Sequence, residues 1–380
     1  MLILAMIYVF AIGCCVGSFL NVVIYRSPRG LSLIKPPSSC PGCNYRIPAY
    51  LNIPLVSWLM LRGRCRNCGY AISPRYFIVE LFTGIIFAGL FYLYFVYGIR
   101  EMGFADTGGA LSGFTEGGWI IFLLHIILIS TFLAASAIDL ELYIIPLSLC
   151  YFVFISAIII AGVAPAVIPY EQIVSYKLLP AASPAAAAVT TGSLLGLFLS
   201  FYLLKKGIIK RSYPLDDQGN ELEEYNHRKE AMLEVAFLLP VIVLGVLSLV
   251  LYKNLSSAAA FWDRLGEIPS ISCIMGALWG YLVGCAVVWA ARIGGTLAFG
   301  KEAMGLGDVH LLGAAGAVIG GGGAVLAFLI SPFSGILCSV LYLVFKKTNQ
   351  IPYGPFLSFS VILVIIFNDQ IQQILNLYFY

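Results

Sequence analysis

Lys301-Glu302-Ala303-Met304-Gly305-Leu306-Gly307-Asp308-Val309-His310-Leu311-Leu312 places a carboxylate, Asp308, at the mouth of a long apolar run, directly behind two glycines. An ionisable side chain near bilayer depth costs several kcal/mol, so its presence there marks a site rather than filler. Gly305 and Gly307 let a second backbone lie close beside it, which cutting a peptide requires. Alone, G-x-G-D reads as readily as a tight turn into a helix, and its weight rests on a second carboxylate at the same depth.

The apolar run is one of many. The 380 residues are 60% hydrophobic and 11% charged, with a mean hydropathy of +0.93, far more apolar than soluble domains. Runs long enough to cross a bilayer recur along the chain, which implies an all-α polytopic membrane protein. Ten spans are expected, at about residues 1–24, 76–98, 118–138, 145–163, 188–206, 233–251, 271–292, 309–330, 333–345 and 355–378, the ninth being short. With the N-terminus outside, only Arg100, Lys177, Lys253 and Arg264 of the 22 basic residues fall on the external side, leaving 18 facing the cytosol; that bias sets the orientation. The first run has no preceding basic residue and no A-x-A-type cleavage site, so a retained span is expected rather than a signal peptide. The net charge of +3 gives no reason to expect nucleic acid.

Of ten cysteines, Cys14, Cys15, Cys150, Cys273, Cys285 and Cys338 lie in expected spans, where a free thiol packs as a small hydrophobe. The other four form Cys40-Pro41-Gly42-Cys43 and Cys65-Arg66-Asn67-Cys68 in the soluble segment 26–75. Two C-x-x-C pairs in one loop fit a structural four-thiolate zinc site. Two disulfides or a redox pair are the alternatives; a cytosolic loop disfavours the first. A closed four-cysteine site leaves no open coordination position, and so small a loop needs the metal to fold. Between the pairs, Asn52–Leu59 is apolar enough to lie on the membrane surface. Gly17, Ser18 and Asn21 read as helix-packing glue. Glu80 is either a partner for a loop arginine or part of a ligand site.

The second carboxylate comes at Ala135-Ser136-Ala137-Ile138-Asp139-Leu140-Glu141-Leu142-Tyr143-Ile144-Ile145-Pro146. Asp139 lies at the cytosolic end of the third span and Asp308 at the cytosolic end of the eighth. Four spans separate them, an even number, so both can reach one depth. Adjacent carboxylates cannot both ionise cheaply and share a proton; one can deprotonate water while the other protonates the carbonyl oxygen or leaving amine. Singly, each could equally cap a helix or pair with an arginine. The charged loop 205–234 reads as solvated, and Gly320 to Gly323 as a small face for helix contact. Ile351-Pro352-Tyr353-Gly354-Pro355-Phe356 reads as a rigid cytosolic turn lining a site.

Taken together, G-S-F-L-N-V-V-I-Y-R, C-P-G-C, N-I-P-L-V-S-W-L, L-R-G-R-C-R-N-C-G, R-Y-F-I-V-E-L, D-L-E-L-Y-I-I-P and E-A-M-G-L-G-D-V-H-L-L resemble, in order, the type IV prepilin peptidase family. That resemblance implies Asp139 and Asp308 as the catalytic pair, Cys40, Cys43, Cys65 and Cys68 as zinc ligands, and Gly305, Gly307, Pro352, Gly354 and Pro355 near substrate. It implies a family core of eight spans plus an inserted pair. It also implies a first span (1–25), a zinc-ribbon-like loop domain (26–75) and a transmembrane peptidase domain (76–380). The implied reaction is cleavage of a basic leader from type IV pilin-like or pseudopilin precursors at the cytosolic face of a bacterial inner membrane. N-methylation of the new terminus from S-adenosylmethionine would follow. Two departures stand out: His310 occupies the family's usual lysine position, and the interval between the aspartates is longer than usual. A peptidase-only relative, or a proton-coupled transporter using the carboxylates as a relay, are the alternatives; the second leaves the zinc loop unexplained.

Overall fold

Apolar runs without period-two alternation dictate helices. The computed structural model describes residues 1–99, 110–210, 226–346, 352–368 and 370–371. Residues 211–225 of the charged loop, with Asp216, Asp217, Glu221, Glu223 and Glu224, lie outside these, as do residues 100–109, Lys347 and Ile351. Among the described residues there are α-helices and no strand. In order they are α1 (Leu2–Arg26), α2 (Val56–Met60), α3 (Pro74–Tyr92), α4 (Ala110–Gly113), α5 (Trp119–Leu142), α6 (Leu147–Val163) and α7 (Tyr170–Ser175). Then follow α8 (Pro184–Lys205), α9 (His227–Asn254), α10 (Ser256–Gly266), α11 (Pro269–Phe299), α12 (Leu306–Lys346) and α13 (Gly354–Ile366). Ser73 and Ser183 cap α3 and α8, each followed by proline at the first helical position, the pairing that starts a helix most cheaply.

Among the described residues, eight helical stretches are long and apolar enough to cross a bilayer, and α13 is a shorter apolar helix. The expected border between the eighth and ninth spans, near residues 331–332, is continuous helix. The break comes at Gly320, whose φ of 78° and ψ of 163° are open to glycine alone. A Cβ built on Gly316 would sit 3.3 Å from that of Ala324, although eight residues of straight helix would separate them by ~12 Å. The stretches on either side of Gly320 therefore fold back on each other. The ninth segment is thus a separate helical arm, with its border moved toward the N-terminus.

The described residues fall into two compact units, residues 1–149 with 333–380 and residues 150–332. In the first, α1 lies directly on α3: a Cβ on Gly13 would be 2.8 Å from Gly84 Cα, and one on Gly17 2.7 Å from Glu80 Cα. Leu20, Val23 and Ile24 of α1 join Val79 of α3 and Ala134 and Ile138 of α5 in a core. The amide of Asn21 donates to the Gly17 and Tyr76 carbonyls, as packing glue should. In the second unit, α8 meets α9 through Gly192 and Gly196, and α11 meets the first arm of α12 through Gly280 and Gly284. A Cβ on Gly280 would stand 2.0 Å from the Gly316 carbonyl oxygen. Without a hydrophobic drive between spans, such backbone proximity is the source of cohesion.

Candidate active site and metal centre

The four loop cysteines converge. Their sulfurs all lie within 4.8 Å of one another, and Cys40 and Cys68 are 3.7 Å apart. Four thiolates ~2.3 Å from one zinc ion stand ~3.8 Å apart in a tetrahedron, so the donor set fits that metal. Two copies of one local turn build the cluster, offset along the chain. Cys40 N–H donates to the Tyr45 carbonyl and Asn44 N–H to the Cys40 carbonyl; Cys65 N–H donates to the Tyr70 carbonyl and Gly69 N–H to the Cys65 carbonyl. Asn44 (φ 57°) and Gly69 (φ 71°) take the same left-handed corner, and isolated bridges Ser39–Arg46 and Arg64–Ala71 close the two turns. The Asn67 amide and then the Tyr45 N–H draw the Cys43 thiol down to about 7. The N–H groups of Cys68 and Asn67 draw Cys65 down as well. Thiolates are the form that binds metal.

The loop is tied to its unit at Glu80. This buried carboxylate accepts the Leu55 N–H at 2.8 Å, at a residue with φ of 61°. Among the described residues no arginine pairs with Glu80; its carboxylate anchors Asn52–Leu59. Trp58 stacks on Phe77 with centroids 5.2 Å apart, while Ile53, Val56, Leu59 and Met60 stay exposed.

Asp139 is three residues from the end of α5 and 6% exposed. Its Oδ2 accepts the Gly354 N–H at 3.0 Å, from the first residue of α13. A Cβ on Gly354 would stand 2.7 Å from that oxygen, so only glycine brings the backbone this close. The loop arginine goes elsewhere: Arg75 pairs with the exposed Glu141. The turn expected to line a site thus does meet a carboxylate, with Pro352 and Gly354 buried and Pro355 half-buried.

Asp308 is the third residue of α12 and 8% exposed. Its Oδ2 accepts the Gly305 N–H at 3.3 Å, a reach-back from the helix's first turn. Gly307 sits between them on the first turn. His310 accepts or donates a 2.7 Å hydrogen bond with the Tyr281 hydroxyl and lies edge-on to the Tyr151 ring. Asp139 belongs to the first unit and Asp308 to the second.

Sequence reading missed a polar cluster in the second unit. Glu230 and Glu234, expected in a solvated loop, are on the first turns of α9 and only 4% and 5% exposed. Arg292 of α11 donates from Nε and Nη2 to the Glu234 carboxylate at 3.0–3.2 Å, and from Nη1 to Glu302 and to the Met304 carbonyl. Trp289 Nε1 donates to Glu234 Oε2 at 2.8 Å, an oxygen that also accepts from Arg292 Nε. The signal was available: Arg292 and Trp289 lie on one face of an otherwise apolar span, and an intramembrane arginine demands a named partner.

Comparison with known proteins points one way. The profile of the bacterial peptidase A24 N-terminal domain matches residues 11–94. A Myxococcus xanthus protein, "Prepilin leader peptidase/N-methyltransferase", is 40% identical over 144 residues, 38% of this chain and 36% of its own length. An Escherichia coli "Type 4 prepilin-like proteins leader peptide-processing enzyme" is 36% identical over 147 residues, 34% of this chain and 46% of its own. These stretches span less than half of either relative. An Aeromonas salmonicida "Prepilin leader peptidase/N-methyltransferase" aligns over 96% of this chain and 91% of its own length at 25% identity. No solved structure matches.

Proposed function

We propose, from the match of residues 11–94 to the bacterial peptidase A24 N-terminal domain and the likeness to prepilin leader peptidases, that the chain is a member of the type IV prepilin peptidase family that removes the basic leader from type IV pilin-like or pseudopilin precursors and N-methylates the new terminus. Cleavage takes place at the cytosolic face of a bacterial inner membrane. The observation that carries the reading is the matched state of Asp139 and Asp308. Each is a buried carboxylate at a helix end, and each has a glycine N–H on Oδ2.

A glycine N–H on Oδ2 holds each carboxylate in place. In this reading the ionised member of the pair draws a proton from water, and the hydroxide character so generated attacks the scissile carbonyl. The protonated member gives its proton to the carbonyl oxygen, and then a proton passes to the leaving amine. No covalent intermediate is needed. Gly305, Gly307, Pro352, Gly354 and Pro355 leave room for the substrate backbone beside the carboxylates. The substrate's apolar helix stands in the bilayer, which sets its leader at the depth of the pair.

Cys40, Cys43, Cys65 and Cys68 would hold zinc, closing two turns that have little apolar core of their own. The loop domain 26–75 and the transmembrane domain 76–380 are the two halves of this scheme. S-adenosylmethionine, when bound, would supply an electrophilic methyl for the new amine. The described residues hold no strand for a dinucleotide-type glycine loop, and no residue is assigned to the donor.

Purified chain incubated with a pilin-type precursor, with and without S-adenosylmethionine, tests the whole reading by product mass. Loss of the leader mass, plus one methyl only when the donor is present, is the expected result. An intact precursor under both conditions overturns it.

A further inference from the structure

We propose that Arg292, held by Glu234, is a positioning residue for Asp308, acting through the peptide bond between Met304 and Gly305; this rests on the role of Asp308 proposed above. The Met304 carbonyl and the Gly305 N–H belong to one planar unit. Arg292 Nη1 donates to the oxygen of that plane, and the N–H at its other end donates to Asp308 Oδ2. Rotating the plane to break one bond therefore breaks the other. A cation on the carbonyl also polarises the peptide and strengthens its N–H as a donor.

The loop lies along one face of α11. Arg292, Gly295 and Thr296 follow the i, i+3, i+4 spacing that aligns side chains on a helix. Thr296 Oγ1 accepts the Ala303 N–H at 3.2 Å, and a Cβ on Gly295 would stand 2.6 Å from that of Ala303. Of the partners of Arg292, Glu302 is about half exposed, with a side-chain exposure of 52%, and that ion pair is worth little. Glu234 is 5% exposed and takes the guanidinium with two donors while Trp289 donates to its Oε2. That fixed fork is what aims Nη1 at the Met304 carbonyl. Glu234 stands on α9, within the long interval separating the two aspartates, so that interval supplies a part of the site and is not a passive insertion.

The test compares Arg292→Lys and Glu234→Gln with the parental full chain in detergent. Lysine keeps the charge but cannot make the two-sided fork; glutamine keeps the shape but not the charge. Cleavage of a pilin-type precursor should fall about 10²-fold in kcat for Arg292→Lys, with KM within about threefold, because a displaced catalytic group costs turnover and not binding. Glu234→Gln should fall about tenfold in the same pattern. Backbone hydrogen exchange over residues 302–308 should quicken in both, with exchange across α1, α3 and the zinc loop unchanged. Cleavage within about twofold of parental in both variants overturns the proposal. So does quickened exchange throughout the chain, which would mark a merely structural ion pair. If Arg292→Lys does not accumulate, Glu234→Gln decides alone. If the parental chain cuts no precursor, the functional reading fails, and the exchange of 302–308 still decides whether the clamp exists.

Discussion

Asp139 and Asp308 receive the same donor, a glycine N–H on Oδ2, from opposite sources. Gly354 is 215 positions from Asp139 in sequence and reaches it only when α13 packs on α5. Ser136 and Ser358 reinforce that packing with a 3.0 Å hydrogen bond between the two helices. Gly305 is three positions from Asp308 and comes with the first turn of the same helix. One carboxylate is thus set by tertiary structure, the other by a local turn whose orientation is then fixed from outside. Local geometry is cheap to form and cheap to deform, whereas a docked helix resists change but tolerates no added atom at the contact.

The largest expected effect falls equally on both sides. Asp139→Asn and Asp308→Asn should each lower precursor cleavage more than about 10³-fold, because an amide can neither share the proton nor take one from water. Both variants should fold and retain zinc, and both should still methylate a precut precursor if the two activities are separate. Single-turnover cleavage, metal content and methyl incorporation measure the three parts. Near-parental cleavage by either variant ends the pairing.

Gly354→Ala separates the two sides. Its added methyl would stand 2.7 Å from Asp139 Oδ2 and 3.1 Å from Ile145 Cδ1. Either α13 shifts or the carboxylate turns away, and a misplacement on the scale of an ångström costs about 10²-fold. The expected result is that loss in kcat with little change in zinc content. Parental turnover would show that the Gly354 contact is not made in the working enzyme.

The difference between the sides also explains what could be read from sequence. Asp139, Asp308 and the four cysteines announce themselves locally, by charge in an apolar run or by thiol spacing. Most of the segments were legible because their runs are long and apolar; the short ninth run hid where its border lies. The Gly354 contact was legible only as a stiff turn near a site, since nothing local says which carboxylate it meets. The fold-back at Gly320 was hidden inside Gly320 to Gly323, because consecutive glycines serve close packing and chain reversal alike. Glu230 and Glu234 misled most: charge density across 205–234 suggested a solvated loop, yet both side chains face inward from α9. A charge's partner lies in three dimensions, and Arg292 is 58 positions from Glu234.

Metal loss should act mainly on the first unit. Cys43→Ser removes the ligand whose thiol is drawn to about 7, and zinc measured after purification should fall well below one per chain. The loop carries Leu55, which Glu80 anchors, so its disorder reaches α3 before anything else. Methylation is expected to fall more than about tenfold and cleavage by only a few-fold, the pattern of a loop serving the methyl-donor side. Asp308→Asn provides the reverse pattern in the same paired assay on intact and precut precursor. Equal losses of both activities in both variants would mean one shared site.

The smallest effect is expected at Gly305. A methyl added there would meet Asp308 Oδ2 at 3.5 Å, ordinary van der Waals contact, and nothing nearer than Gly307 N at 3.9 Å. Gly305 is also not among the residues of left-handed φ, so alanine incurs no backbone strain. Its N–H remains in place to bond the carboxylate. Gly305→Ala should therefore leave cleavage of a short-side-chain precursor within about threefold of parental. Only a steric demand from the substrate would raise that figure, and such a demand would show as a higher KM at unchanged kcat. Measuring both constants for Gly305→Ala beside Gly354→Ala asks whether the glycines do the same job. A loss of kcat at Gly305 equal to that at Gly354 would mean that both aspartates depend on a backbone pressed against them, and the contrast between a docked and a local donor would fall.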